Sequence, residues 1–162
     1  MKVLGIDPGT ARVGWGAVEE KEGELISEKF GTIETSPKLK IEKRLEEIFH
    51  QISAIIKSEN PDIVAVEEIF YCKNQKTVIA VSQARGVIIL AAAMQGKEIH
   101  EHTPMQVKEA VVGYGKAEKK QVQEMVKAIL GLESIPKLDD TADALAVAIC
   151  CLNSAKLTNL IK

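Results

Sequence analysis

The sequence is poor in cysteine and aromatic residues, and it has no long apolar run. Its three cysteines, Cys72, Cys150 and Cys151, form no C-x-x-C pair, which argues against a disulfide framework or a zinc knuckle and favours a reducing cytoplasm. Every uncharged apolar run is shorter than the about 18 residues that a membrane span requires, so we expect no membrane partner. A charge and a turn come too early in the first residues for a signal peptide.

The sequence also has no excess of basic over acidic residues. Lys and Arg number 21 against 23 Asp and Glu, a net charge of −2, whereas a duplex-binding protein is expected to be basic. The balance is uneven along the chain, because residues 71–130 carry nine basic and five acidic side chains. Since charges more than about 8–10 Å apart are screened at physiological salt, the local balance matters most. The middle segment is therefore a candidate nucleic-acid surface.

The 162 residues, 46% of them hydrophobic, are enough for one domain over residues 1–162, with a core that needs no disulfide or structural metal. Apolar periodicity predicts ten elements in a fixed order. They are strands at 3–7, 13–18 and 24–34, a helix at 40–58, a strand at 62–67, a helix at 75–95, a strand at 97–102, and helices at 104–112, 118–130 and 139–152. This order predicts an α/β fold with a five-stranded mixed sheet, whose first three strands are antiparallel and whose two faces carry helices.

Four carboxylates occupy the ends of predicted elements. Asp7 and Glu67 close two buried strands, and Asp140 and Asp143 lie three residues apart at the start of the last helix, on one face of it. If the two strands are neighbours, these acids meet at the carboxyl edge of the sheet and repel one another unless cations bind. Carboxylate oxygens suit Mg²⁺ or Mn²⁺, and two such ions can drive phosphodiester hydrolysis.

Simpler interpretations of these residues stay open at this point. An aspartate such as Asp7 is common before a Pro-Gly turn, and Asp139 or Asp140 could serve only as a helix N-cap. His100 and His102 alternate on the last predicted strand. They could chelate a metal from one face, but a surface or core role is the alternative.

Several separate motifs are spread along the chain. They are Gly5-Ile6-Asp7-Pro8-Gly9, Gly14-Trp15-Gly16, Gln83-Ala84-Arg85-Gly86, Gln106-Val107-Lys108, Val111-Val112-Gly113-Tyr114-Gly115, Ala117-Glu118-Lys119 and Ala142-Asp143-Ala144-Leu145-Ala146. With these motifs in this order, the chain resembles the RuvC-type Holliday-junction resolvases from its first residues to about position 152.

The resemblance implies a ribonuclease-H-like fold, a homodimer, and paired nicking of four-way DNA junctions in homologous recombination and DNA repair. It implies Mg²⁺ or Mn²⁺ as the cofactor, with two ions per subunit, and a RuvA–RuvB branch-migration complex as a partner. It assigns the catalytic and metal-binding roles to Asp7, Glu67, Asp140 and Asp143. Asp139 competes with Asp140 for one of these roles.

The resemblance also implies a DNA-binding surface. It places DNA-contacting lysines at Lys108 and Lys119 and a base-stacking aromatic at Phe70; such stacking contributes about 1–3 kcal/mol per base. Local positive charge extends this set along a path for phosphates. The expected DNA-binding residues are Phe70, Tyr71, Lys73, Lys76, Arg85, Lys108, Lys116, Lys119 and Lys120.

Symmetric cutting of a four-way junction requires two active sites, which a two-fold dimer supplies. The nearly all-apolar helix predicted at 75–95 is the candidate interface, although packing of this helix on the sheet could use the same surface. We expect Ile79, Val81 and Ile88 to include interface positions.

Three other functions remain as alternatives. The opening Gly5–Thr10 segment also resembles the phosphate-binding turn of actin-like ATPases and sugar kinases, but those enzymes need two such domains and this chain has room for one. A non-catalytic junction-binding protein would gain nothing from a cluster of carboxylates facing phosphates. A nuclease of the same fold that acts on RNA–DNA hybrids has the same residue types at its metal site, so the acids do not separate the two substrates.

Overall fold

In a computed structural model, which describes residues 1–69 and 75–160, five strands and five helices follow the predicted order. The strands are β1 (Lys2–Asp7), β2 (Arg12–Lys21), β3 (Glu24–Glu34), β4 (Ile63–Glu67) and β5 (Glu98–His102). The helices are α1 (Ile41–Glu59), α2 (Gln75–Met94), α3 (Pro104–Val112), α4 (Lys119–Ile129) and α5 (Asp139–Leu160). The predicted end of the last helix at residue 152 is wrong, because α5 continues through Leu160.

The strands form one mixed sheet in the order β3-β2-β1-β4-β5. Strands β1, β2 and β3 pair in an antiparallel meander, whereas β1–β4 and β4–β5 pair in parallel. Two tight turns hold the meander together. A Cβ on Gly9 would lie 2.2 Å from the carbonyl oxygen of Arg12, and Glu22 and Gly23 both have positive φ, as a two-residue hairpin of type I′ requires.

Helices cover both faces of the sheet, as predicted. Because side chains alternate along a strand, Val3 enters one core cluster and Leu4 the other. The cluster that contains Val3 is built with residues of α3, α4 and α5, and the one that contains Leu4 with residues of α1 and α2. Helix α5 lies between the sheet and the α3–α4 pair, so its residues from 144 to 152 are all buried.

Helix α2 is apolar on most of its circumference, but within the described part of the chain one side of it is buried and the opposite side is exposed. Ile88 is fully buried in the core because the helix turns this side chain toward the sheet, so it is excluded from the three candidate interface positions. Ile79, by contrast, is exposed and Val81 is half-buried. Among the described residues, no helix combines the length and apolar character that a bilayer crossing demands.

Candidate active site

The ends of β1 and β4 bring two of the predicted acids to one edge of the sheet. The two strands are parallel neighbours in which Ile6 pairs with Val66, so Asp7 and Glu67 follow at adjacent positions. This is the carboxyl edge, where functional groups of α/β sheets commonly gather.

Glycines on β1 and β2 allow α5 to lie directly against this edge. A Cβ on Gly14, the strand partner of Asp7, would lie 1.8 Å from the carbonyl oxygen of Asp140. A Cβ on Gly5 would lie 2.1 Å from the carbonyl oxygen of Ala144. Because glycine has no side chain, the backbone of the first turns of α5 can contact the backbone of these strands. This contact places the carboxylates of α5 at the end of β1.

The four acids act on one another electrostatically. Burial, followed by the negative charges of Glu67, Asp143 and Asp140, raises the pKa of Asp7 to about 8. Burial and the charge of Asp143 raise the pKa of Glu67 to about 7. The pKa of Asp143 is also raised, chiefly by burial. The structure therefore brings all four predicted acids together, in a cluster that disfavours full ionisation.

Two cations partly offset this negative charge. The Nζ atom of Lys119 lies 2.9 Å from Oδ2 of Asp143 and 3.4 Å from Oδ2 of Asp139, and Nε of Arg12 lies 3.0 Å from Oδ2 of Asp140. Arg12 is a residue that sequence reasoning missed. It follows the first turn with no motif of its own, and only the packing of α5 against β2 places it beside an acid.

Adjacent Asp139 and Asp140 have different surroundings. The Asp139 side chain is 62% exposed, accepts a hydrogen bond from Nε2 of Gln123 and lies at the rim of the cluster. The Asp140 side chain is 24% exposed. Its Oδ2 atom is buried and accepts no hydrogen bond in the described part of the chain, since the nearby Arg12 lies within ion-pair distance but not in hydrogen-bonding geometry.

Four partly buried carboxylates, one with an unsatisfied oxygen, make a donor set that fits hard divalent cations. Beside them is a cleft of about 160 Å³. Its polar walls are Glu67, Asp143, Lys108 and Lys119, and its apolar walls are Pro104, Val107, Val122 and Ala146. The two lysines that the resemblance selected thus lie next to the acids, where both lower the pKa of Glu67.

The remaining predicted DNA-binding residues are not gathered here. Lys116 and Lys120 are exposed, and Lys120 lines a different cleft with Glu118 and Glu124. Arg85 pairs with Glu101 between α2 and β5 and is not among the residues that line the cleft beside the acids, so its DNA-binding role stays a prediction. Phe70, Tyr71 and Lys73, together with the side chain of Lys76, lie outside the described residues.

Comparison with known proteins gives a family match over nearly the whole chain. The family model described as "Crossover junction endodeoxyribonuclease RuvC" matches residues 3–151. The protein of that name from Syntrophomonas wolfei is 54% identical over 162 residues, which is all of this chain and 94% of the relative. Its counterpart from Clostridioides difficile is 50% identical over 162 residues, again all of this chain and 96% of the relative.

Solved structures give the same result. Thermus thermophilus RuvC superposes with a TM-score of 0.89 at 34% identity, covering 98% of this chain and 97% of that one. The same protein in complex with a Holliday junction substrate also gives 0.89, at 31% identity over 97% of this chain and 96% of that one. The yeast mitochondrial Holliday junction resolvase, at 15% identity and a TM-score of 0.70 over 97% of this chain and 82% of that one, shares the fold.

Proposed function

The chain belongs to the RuvC family of crossover junction endodeoxyribonucleases, and on that basis we propose that its acidic cluster cuts the phosphodiester backbone of four-way DNA junctions. Holliday junction resolution, in recombination and repair, is the activity that fits the full-length relatives and the junction-bound structural neighbour. The convergence of Asp7, Glu67, Asp140 and Asp143 at one sheet edge is the observation that carries the proposal.

We propose that these four carboxylates hold two Mg²⁺ or Mn²⁺ ions. Burial and mutual repulsion raise the pKa values of Asp7, Glu67 and Asp143, so the cluster favours a divalent cation over full ionisation without one. When bound, such ions lower the pKa of an attacking water and stabilise the leaving oxygen of the phosphodiester. Two of them would neutralise four carboxylates and remove the repulsion between this pocket and phosphate.

The other residues of the site bind and orient the substrate. Lys108 and Lys119 flank the cleft, where their ammonium groups bind backbone phosphates on either side of the cut. Arg12 holds Asp140 from the β2 side, so the carboxylate keeps its orientation. Val107 and Val122 form an apolar wall that limits water in the cleft. We keep Phe70 as a base-stacking residue and Tyr71, Lys73, Lys76, Arg85, Lys116 and Lys120 as more distant DNA contacts.

We also propose a homodimer that forms through α2. One exposed stripe of the helix contains Ile79, Gly86, Leu90 and Met94. Its three large apolar side chains are 60%, 53% and 69% exposed at Ile79, Leu90 and Met94. A two-fold axis at this stripe would present two active sites to strands of like polarity. A RuvA–RuvB branch-migration complex as partner is proposed from family membership. A cytoplasmic location is proposed from family membership and from the free thiols of Cys150 and Cys151.

The deciding experiment is cleavage of a synthetic four-way junction with each arm labelled in turn, in Mg²⁺, beside a linear duplex and an RNA–DNA hybrid. We expect paired nicks at symmetric positions on two strands of like polarity, and little cutting of the other substrates. Asp7→Asn should abolish cutting while junction binding persists. Glu42→Gln, which removes an exposed acid at the start of α1, is the matched control and should cut normally.

Each alternative predicts a different result. Equal cutting of linear duplex, or full activity in EDTA, would refute the proposal. Preferential cutting of the hybrid would favour a nuclease of RNA, and tight junction binding without cutting in Mg²⁺ and Mn²⁺ would favour a non-catalytic binder. ATP binding measured by calorimetry would revive the actin-like alternative.

A further inference from the structure

A second cluster of metal-ligating side chains lies away from the four acids. His100 and His102 are on β5 and Cys151 is on α5, and one ligand atom from each lies within 4.8 Å of the other two. Nδ1 of His100 is 3.7 Å from Sγ of Cys151. Residues two apart on a strand share a face, so both imidazoles of β5 face the helix that carries the thiol.

His102 is buried without a hydrogen-bond partner for one of its nitrogens. His102 is only 8% exposed, and its Nε2 atom has no hydrogen-bond partner among the described residues. A buried polar atom that lacks a partner costs free energy, and native structures usually satisfy such atoms. A cation between the two histidines and Cys151 would supply the missing partner.

The surroundings of His100 are those of a metal-binding histidine. Oε1 of Glu98 lies 2.6 Å from Nε2 of His100, which fixes the ring and leaves Nδ1 directed at the sulfur of Cys151. A carboxylate that holds the outer nitrogen of a histidine is the usual outer partner of zinc ligands. Glu98 is exposed and His100 is half-buried, so an ion can reach the cluster from solvent along this pair.

We propose that His100, His102 and Cys151 form a binding site for a thiophilic divalent cation of the Zn²⁺ class. Zn–N and Zn–S bonds of about 2.0–2.1 and 2.3 Å place tetrahedral nitrogen and sulfur ligands about 3.6 Å apart, close to the observed 3.7 Å. A thiolate with two imidazoles selects Zn²⁺ over Mg²⁺, whereas carboxylates favour Mg²⁺. Three protein ligands leave a fourth position for water or another ligand.

This site is distinct from the acidic cluster but lies beside the same strands. Cys151 follows Asp143 on α5 by eight residues, about 12 Å along the helix axis at about 1.5 Å per residue. His102 pairs in register with Glu67. The cation would therefore tie β5, which among the described residues is an edge strand paired with β4, to the helix that carries two of the acids. Metal binding here stabilises the fold without contributing to the acidic cluster.

Cobalt substitution tests the site directly. Protein freed of metal is titrated with Co²⁺ under reducing conditions with excess Mg²⁺, and the absorption spectrum is recorded. We expect one equivalent to give a thiolate-to-cobalt charge-transfer band and the strong visible bands of tetrahedral coordination, both reversed by Zn²⁺. Cys151→Ser and His100→Ala should remove the charge-transfer band. Cys150→Ser, which changes the adjacent buried thiol, is the matched control and should retain it.

Two further measurements keep the test independent of folding and of nuclease activity. Glu98→Gln alters only an exposed side chain and should weaken Zn²⁺ binding by about 10–100-fold. Asp7→Asn, which is expected to be inactive on junctions, should bind Zn²⁺ normally, so failure of one proposal is distinguishable from failure of the other. A Co²⁺ spectrum without a thiolate band, or one that survives Cys151→Ser, would overturn the assignment.

Discussion

At the scale of single residues, the adjacent carboxylates Asp139 and Asp140 differ in what they can do. Asp140 acts on Asp7 electrostatically and has a buried oxygen without a hydrogen bond, whereas Asp139 binds Lys119 and Gln123 at the rim. The sequence left both residues as candidates because each could cap α5. Their different environments favour Asp140 as the metal ligand.

We expect Asp140→Asn to reduce junction cleavage by at least about 100-fold, the scale of losing a group that stabilises developing charge. Asp139→Asn, the matched control one residue away, should change the rate by less than about fivefold, a loss of less than about 1 kcal/mol in transition-state stabilisation. Single-turnover cleavage at saturating protein measures both. If Asp139→Asn lost more cleavage activity than Asp140→Asn, Asp139 rather than Asp140 would be assigned as the metal ligand.

The acidic cluster also sets a pH dependence of stability in the metal-free protein. Asp7 keeps its proton in the folded chain up to a pKa of about 8, whereas its ordinary pKa is 3.8. The folded state therefore binds more protons than the unfolded state between these values, and its contribution to stability falls as pH rises through this window. Glu67, raised from 4.5 to about 7, acts in the same direction.

We expect the free energy of unfolding in EDTA to fall more steeply between about pH 5 and pH 8 for the wild type than for Asp7→Asn, which cannot ionise at this position. Urea denaturation at several pH values measures the difference. Added Mg²⁺ should flatten the wild-type curve, because bound cations stabilise the ionised carboxylates. Parallel curves for the two proteins would show that Asp7 does not carry the raised pKa.

At the scale of elements, the position of α5 decides the geometry of the site. Its carboxylates reach the end of β1 because Gly5 and Gly14 leave no side chain between the strands and the helix backbone. The helix is then buried on its other sides by α3 and α4. A small change at the contact with β2 should displace the start of α5 and its acids together.

Gly14→Ala would place a methyl group 1.8 Å from the backbone oxygen of Asp140 in α5. Because this oxygen belongs to the backbone, the helix itself would have to move. We expect a loss of stability of about 1–3 kcal/mol, as for overpacked cores, and loss of most junction cleavage. Gly31→Ala on β3 is the control, because its methyl group would meet only the Trp15 ring, at 3.3 Å. Thermal unfolding and the junction assay, run on both variants, should separate them.

At the scale of the whole molecule, the exposed stripe of α2 is an apolar surface that the described part of the chain leaves uncovered. Ile88 belongs to the core, so the proposed interface would use the opposite side of the helix, where Ile79, Leu90 and Met94 are exposed. Such a surface is costly in water unless a partner covers it. A second copy would both cover it and supply the second active site.

We expect Leu90→Asp to convert a dimer into a folded monomer, because a charge at the centre of the stripe would be buried unpaired. Sedimentation equilibrium measures the mass, and circular dichroism checks the fold. The monomer should lose paired nicking of the junction. Ile41→Asp, at a similarly exposed apolar residue on α1, should leave a dimer; a wild type that is monomeric at micromolar concentration would contradict the proposal.

Most of the fold follows from the sequence, because the signals are local. Alternating apolar residues define the strands, three- and four-residue spacing defines α1, and glycine and proline mark their ends. The C-terminal end of α5 and the burial of Ile88 did not follow in the same way. A helix that is apolar all round has no preferred face in its sequence, so packing alone decides which side is buried and how far it extends.

The order of the elements, the mixed sheet and the choice of four candidate acids follow from local signals, since strand ends, helix starts and family motifs are read along the chain. Packing in three dimensions was needed to show that Asp140 is more buried than Asp139 and that Arg12 and Lys119 balance the acids. It was also needed to show that Arg85 pairs with Glu101 and that His100, His102 and Cys151 meet. The reason is physical: charges, pKa values and metal ligation depend on distances of a few ångströms between residues far apart in sequence, and only packing sets those distances.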